Sequence, residues 1–549
     1  MGQNQLCLRR SMSICAAVVL TCVMILQGLA VAQTPSLLYS FDPHNMGIFE
    51  PFPPSVMAQG PDGNLYGTTS SGGTGPEGGV FMLTPGGIES VLYNFAPADG
   101  QHCNVGLTLG NDGNFYGACL DGGPNHEGKL YRITTGGTFT TLYSFTGMNG
   151  DGALPNGPPI QASDGNFYGT TEEGGAENDG AIYKMTPAGK VTIIHSFVAP
   201  AEGGNPGGAL VQGSDGNFYG TTQEGGGIFQ VTPTGKLKVI HALATMDGQV
   251  PLGALIQGSD GDYYGTATLG GIPGQGTVYK VSSTGQFMVL HDFDSTVDGQ
   301  GDPWVGLVQA SDGNYYGVSF RSGLSGESQF GGIFELSSQD VYSSLYLFDG
   351  TVGANPASAL IQHTNGLLYG NTQNDGALNV GTIYSMNIGA APFCLPNLQS
   401  GKIGNVVGIL GQNFDPSSVV RFGGVAATGV KVIGPDFLTA AIPSGALSGA
   451  VTVNTGTSKL TSRQTFKVLP TIKSFSPTSG PVGTPVIITG SGFTQTIGVG
   501  FGAYVPSKFT VNSDTQVTAT VSSGSKTGPV GIETKGGIAI SPEIFTVTP

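Results

Sequence analysis

Carboxylates are the recurrent chemical resource of this sequence. Five Asp-Gly pairs, at Asp99, Asp151, Asp247, Asp298 and Asp349, return at comparable points of a long pattern. A second acidic set comprises Glu77, Asp121, Glu127, Glu172, Glu173, Glu177, Asp179, Glu224, Glu327 and Asp375. Hard cations and polyols both want oxygen ligands, so such a set suits Ca²⁺ or a saccharide. Two carboxyls about 5–9.5 Å apart would suit glycoside cleavage. The competing explanation is structural: Asp-Gly makes turns, and loops are solvated. Trp304, the single tryptophan, falls among the same loops. There it would stack on a sugar or fill a junction of the fold.

Other chemistry is sparse. No Gly-x-Ser-x-Gly elbow, His-Glu-x-x-His, Cys-x-x-Cys or phosphate-binding loop occurs. No catalytic residue is assigned, and no cofactor is expected beyond Ca²⁺. His195, His241 and His291 resemble general bases, but they occupy a slot held elsewhere by Tyr39, Tyr93, Tyr143 and Tyr346. A slot that accepts Tyr or His is packing with a polar tip. Six cysteines are present, three of them (Cys7, Cys15, Cys22) near the N-terminus. Of the rest, Cys103 and Cys119 flank one expected hairpin and would form a disulfide if strand register brings them together. Cys394 is left over.

The elements that must position these groups come from a repeat. Asp-Gly-Asn-aromatic-Tyr-Gly starts at Asp62 (with Leu65 for the aromatic), Asp112, Asp164, Asp215, Asp260 (with Asp262 for the Asn) and Asp312, and in degenerate form at Asn365. The spacings are 50, 52, 51, 45, 52 and 53 residues, which makes seven units. Each unit reads as four antiparallel strands. In the third unit these cover residues 159–163, 166–171, 181–186 and 191–197, joined by Asp164-Gly165, a polar loop and Pro187-Ala188-Gly189. With 93 glycines and only 10% charged residues, the composition fits short strands and tight turns, and predicts almost no helix.

The ends of the repeat region are out of phase. Residues 37–41 read as a fourth strand with no unit before it. The last unit has three strands, at 359–363, 367–372 and 382–386, and no fourth. The orphan completes the last unit if the array closes into a ring, and closure removes open sheet edges. The expected fold is therefore all-β: a seven-bladed β-propeller over residues 33–389, closed by its N-terminal strand. In that geometry the loops entering each unit share one face with the loops between second and third strands, so one mouth of the ring is acidic. The marker aspartates lie on the opposite face.

The seven markers, each followed by Gly-Gly and then a turn of the Thr186–Gly189 type, resemble the GloVer-type tandem repeat. The resemblance covers roughly residues 36–388. It implies an exported bacterial protein with no established activity. Beyond Gly389 a different pattern appears twice. Residues 470–549 carry Phe475-Ser476-Pro477, Gly480, Gly483, Val486-Ile487-Ile488, Gly492-Phe493, Phe501-Gly502 and a closing Phe545-Thr546-Val547. Residues 391–468 echo them with Gly401, Gly404, Val406-Val407, Asn413-Phe414, Phe422-Gly423 and Phe466-Lys467-Val468. Both segments look like IPT/TIG immunoglobulin-like β-sandwiches, with boundaries at 390–468 and 469–549. That resemblance implies spacing, stacking or protein contact. The DNA-binding version of this module uses basic loops, whereas Arg421, Lys431, Lys459, Arg463 and Lys467 are scattered here.

Residues 1–32 read as a secretory signal. Arg9-Arg10 precedes an apolar stretch at 14–26, then Ala30-Val31-Ala32. Its removal takes away two arginines and no acid, moving the net charge of −16 further negative. That argues against nucleic acid, whose binders are basic. No integral span is expected after signal removal. The functional expectation is a secreted, periplasmic or cell-surface protein that binds a polysaccharide, a cell-wall polymer or a surface protein without catalysis. The alternative is an extracellular lyase or glycosidase using carboxylates at the ring's mouth.

Overall fold

The computed structural model describes residues 33–42, 48–49, 56–72, 77–103, 105–321, 330–374, 376, 379–502 and 505–549. The signal segment, Glu327 and Asp375 fall outside them. The described residues form strands, turns and bends, and no helix. No helix of the described residues is long and apolar enough to cross a membrane. The protein is all-β.

Each repeat folds as its pattern requires. In the third, Ile160–Gln161, Phe167–Thr171, Ala181–Met185 and Val191–Ser196 lie side by side in sequence order, all antiparallel. The second strand is buried at every position and the third at all but one, because neighbouring sheets cover both faces. The fourth is half-buried, with Thr192 exposed.

The marker owes its residue types to distinct demands. Asp164 accepts from the Asn166 backbone N–H at 3.0 Å, the Asn166 side chain at 2.9 Å and the Tyr168 hydroxyl at 2.8 Å. The same Tyr-to-Asp bond recurs at Asp62, Asp112, Asp215, Asp260 and Asp312. Gly165 supplies the turn's positive φ of 82°. The final glycine lies under an aromatic ring of the third strand. A Cβ on Gly169 would meet the Tyr183 hydroxyl at 2.3 Å, and one on Gly67 would meet the Phe81 ring at 2.4 Å. Marker tyrosines pack on the next repeat: Tyr116 lies 3.9 Å from Phe167, Tyr168 lies 4.2 Å from Phe218, and Tyr219 lies 3.9 Å from Tyr263, centroid to centroid.

Among the described residues seven sheets follow this plan, and the last in sequence is completed by the N-terminal strand. Ser36–Ser40 pairs antiparallel with Thr382–Met386 in the register Ser36↔Ser385, Leu37↔Tyr384, Tyr39↔Ile383 and Ser40↔Thr382. The pairing skips Leu38, as the first full sheet skips Leu92 between Val80↔Tyr93 and Phe81↔Val91. Phe41 N–H then donates to Gly381 O at 3.1 Å, matching Phe95 to Gly78 and Phe145 to Gly128. The orphan strand is thus a true fourth strand, with its bulge in place. Phe41 in turn packs edge-on against Phe81 of the first sheet.

His363 adds a second tie between last and first sheets. Its Nε2 donates to Gly63 O at 2.9 Å, and its Nδ1 accepts the Asn365 backbone N–H at 3.0 Å. Both nitrogens are satisfied only in the neutral ring. Burial lowers the pKa from its ordinary 6.5, outweighing the two bonds. These contacts arrange the sheets as a closed β-propeller.

Past residue 389 the chain makes two further pairs of sheets. In the first pair, strands Leu395–Pro396, Val406–Leu410, Phe437–Ala441 and Thr428–Gly434 face a sheet built on Lys459–Leu469 and Gly449–Asn454. The second pair repeats the plan with Thr471–Ser476, Pro485–Ser491, Gln516–Thr520 and Phe509–Ser513 opposite Gly537–Val547 and Gly528–Thr534. Each pair encloses its own apolar core, around Phe422 and Phe466 in one and Phe501 and Phe545 in the other.

Deleting residues 33–42 should lower the urea midpoint of the whole repeat region, because it uncovers Thr382–Met386 as an open edge. An unchanged midpoint would mean a linear array. The neutral His363 makes a second prediction. Its folded pKa lies below its unfolded one, so its contribution is full above about pH 6.5 and is lost as pH falls below that value. The loss amounts to about 1.4 kcal/mol for each unit separating the two pKa values. His363→Gln should flatten this limb of the stability–pH curve; an identical curve in both proteins would refute the role.

Candidate functional site

The mouth expected to be acidic is built from the loops that lead from each fourth strand into the next sheet. Its aspartates serve the fold. Asp99 accepts from the Tyr93 hydroxyl at 2.7 Å and the Ala96 N–H at 2.9 Å. Asp151 does so from Tyr143 at 3.1 Å and the Thr146 N–H at 2.9 Å. Asp247 pairs with His241 at 3.0 Å and Asp298 with His291 at 2.6 Å. Asp349 accepts from the backbone and hydroxyl of Thr351, which hold its carboxyl below the usual range. Glu202 does for His195 what these aspartates do elsewhere, at 3.0 Å.

The Tyr/His slot and the Asp-Gly pairs are therefore two halves of one device, in which a fourth-strand ring donates to the carboxylate that shapes the following loop. Burial, followed by the hydrogen bond and charge of Asp99, pushes Tyr93 up to about 12, so it stays a donor. Among the described residues, no three His, Cys, Asp or Glu side chains gather as a metal site would need. Trp304 stacks on Phe320, with centroids 3.7 Å apart, and packs into the junction between the sixth and seventh sheets. Cys103 and Cys119 are joined as a disulfide, tying one such loop to the end of the second strand in its own sheet. Cys394 is buried in the first C-terminal core, and burial pushes its thiol up to about 12.

The opposite face holds what sequence reasoning passed over. A glutamine stands three residues before six of the seven markers: Gln59, Gln161, Gln212, Gln257, Gln309 and Gln362. Each accepts a backbone N–H from the preceding sheet, as in Asn111 to Gln161 at 2.8 Å and Ser163 to Gln212 at 2.8 Å. Thr364 to Gln59, at 2.9 Å, carries the series across the closure. The chain of bonds is interrupted once. Where the first sheet would donate, Pro61 has no N–H, and the second sheet presents Leu109 in place of glutamine. Donor and acceptor are missing together, so nothing is left unsatisfied.

At this break the first C-terminal unit docks. Leu109 shares an apolar cluster with Leu410 and Phe437, and Leu395 packs against it. Polar contacts surround the patch. Gly408 N–H donates to the Asn111 side chain at 2.9 Å, Thr364 Oγ1 to Gly411 O at 2.9 Å, and Arg463 to Gln309 O at 2.9 Å. The unit thereby covers the turn-side opening of the ring. Above it, between the inner strands, lies a cavity of about 300 Å³. It extends from Gly157, Gly208, Gly253 and Gly306, where the strands begin, to Arg463 and Gln464 at the covered end. These strands approach closely: a Cβ on Gly253 would lie 2.4 Å from Gly306 N.

Leu109→Gln should loosen the first unit from the ring by about 1–3 kcal/mol, since it places an amide in an apolar contact facing Pro61. Faster amide exchange across Val406–Leu410 and Phe437–Ala441, with ring protection unchanged, is the expected result. Unaltered exchange would show that the contact does not hold the unit.

Two known families match parts of the chain. The Gloeobacter/Verrucomicrobia repeat is matched over residues 53–257 and 224–410, and the IPT/TIG domain over residues 470–547. No curated protein matches. Among solved structures, a streptogramin B lyase is 17% identical, with a TM-score of 0.46, over 64% of this chain and 97% of its own. Virginiamycin B lyase from Staphylococcus aureus is 14% identical, with a TM-score of 0.45, over 62% and 97%. A fungal alcohol oxidase is 12% identical, with a TM-score of 0.42, over 94% and 100%. The chain belongs to the Gloeobacter/Verrucomicrobia repeat family and carries a C-terminal IPT/TIG domain.

Proposed function

We propose that this protein is an exported, non-catalytic binding scaffold. In this reading residues 1–32 direct export, residues 33–389 form a seven-bladed propeller, and residues 390–468 and 469–549 are two immunoglobulin-like modules. The free face of the propeller takes a glycan, a cell-wall polymer or a surface protein. The modules brace the other face and extend away from it.

The observation that carries the reading is the fate of the rim carboxylates. Asp99, Asp151, Asp247 and Asp298 are each held by a ring hydroxyl or imidazole of the same repeat. Bound in this way they fix the shape of a repeated set of loops, and near-identical loops around a ring suit multivalent recognition. Catalysis would want one cleft in which two carboxyls differ in environment. Export is supported by the basic and apolar pattern of residues 1–32 and by the Cys103–Cys119 bond, which an oxidising compartment sustains.

A glycan array probed with the mature chain, with and without Ca²⁺, tests the proposal. Retention of a polymeric glycan without new reducing ends or unsaturated products is the expected result. Release of such products would replace the scaffold with the lyase or glycosidase alternative.

A further inference from the structure

The cavity inside the ring has a chemical character of its own. It and an adjoining cavity of about 340 Å³ share Val56, Val308, Leu360, Gln399, Arg463 and Gln464 among their walls. Although the chain has 36 acidic residues against 20 Lys and Arg, neither cavity is lined by an Asp or a Glu, and Arg463 is the one cation in either lining.

Arg463 is underused where it stands. One terminal nitrogen donates to Gln309 O at 2.9 Å, and the guanidinium lies 5.8 Å from the Phe393 ring. Its Nε is buried with no hydrogen-bond partner, and among the described residues no carboxylate pairs with it. Burial lowers its pKa to about 10, so it remains charged at neutral pH. The residue is half-buried, and a buried donor left without a partner is costly. A guanidinium with free donors is the group best shaped to hold a carboxylate. The walls above it are apolar, with Leu107, Val211, Leu252, Ile256 and Leu307 around the inner strands. The volume is at the small end of ligand sites.

We propose that the ring's central cavity binds a small carboxylate with an apolar body, the carboxylate on Arg463 and the body against the inner strands. The site is created by docking: the repeats supply the walls and the first C-terminal module supplies the charge. It is distinct from the outer face to which the scaffold reading assigns larger ligands.

The probes are 3-phenylpropanoate and its neutral counterpart 3-phenylpropanol, titrated calorimetrically into the full mature chain at low chloride. The expected result is at least about tenfold tighter binding of the acid, a difference of about 1.4 kcal/mol. Added chloride should weaken the acid alone, and Arg463→Met should abolish the preference while leaving the glycan array unchanged. Equal binding of acid and alcohol, binding of neither, or a preference that survives Arg463→Met would overturn the proposal. Chloride competition needs no variant, so the test holds even if Arg463→Met misfolds.

Discussion

Backbone hydrogen bonding between the two ends of the repeat region is the constraint on which the rest depends. A four-stranded sheet with covered faces still has two edges, and each unit here solves only its inner one by facing the channel. Seven such sheets in a row would leave Thr382–Met386 unpaired. Ser36–Ser40 fills that place with the bulge the other sheets use, and Phe41 reaches the first sheet's Phe81. Once the ring is closed its radius is set, and with it the spacing of the glutamines, the loops and the channel.

Within the closed ring, polar side chains act as couplers between sheets and as braces of loops. The glutamine series passes a hydrogen bond from sheet to sheet on one face. The Tyr/His–carboxylate pairs tie five of the fourth strands to the next loop on the other. Both use buried or half-buried groups, where an unpaired donor costs more than a made bond gains. This explains why Pro61 and Leu109 depart from the pattern together.

The same departure gives the first C-terminal unit its seat. A complete glutamine circle would present a polar face all round. The Leu109 break offers an apolar patch, on which Leu410 and Phe437 settle. From there the neighbouring strand brings Arg463 beneath the channel. The ring and this unit therefore share the walls of one cavity, and the second unit continues from Pro470, with the Gly445 N–H donating back to Asp514 at 2.9 Å.

Local pattern determined a great deal of this. The seven markers, the alternation within strands and the orphan segment at 37–41 follow from chain-local rules of turns and pleats, so the sheets and the ring closure were legible in residue order alone. The glutamines three residues ahead of six of the seven markers stand in residue order too, but their partners do not. What residue order left open were contacts between groups far apart in the chain. It left Asp99, Asp247 and Asp298 open between ligand and turn, because it could not bring Tyr93, His241 and His291 to them across a loop. It scattered Arg463 among surface lysines, because only docking sets it against Gln309, 154 residues earlier. Strand identity is decided by the period of side chains along one segment. The duty of a polar side chain is decided by which distant donor, acceptor or void it meets, and that exists only when the chain has folded.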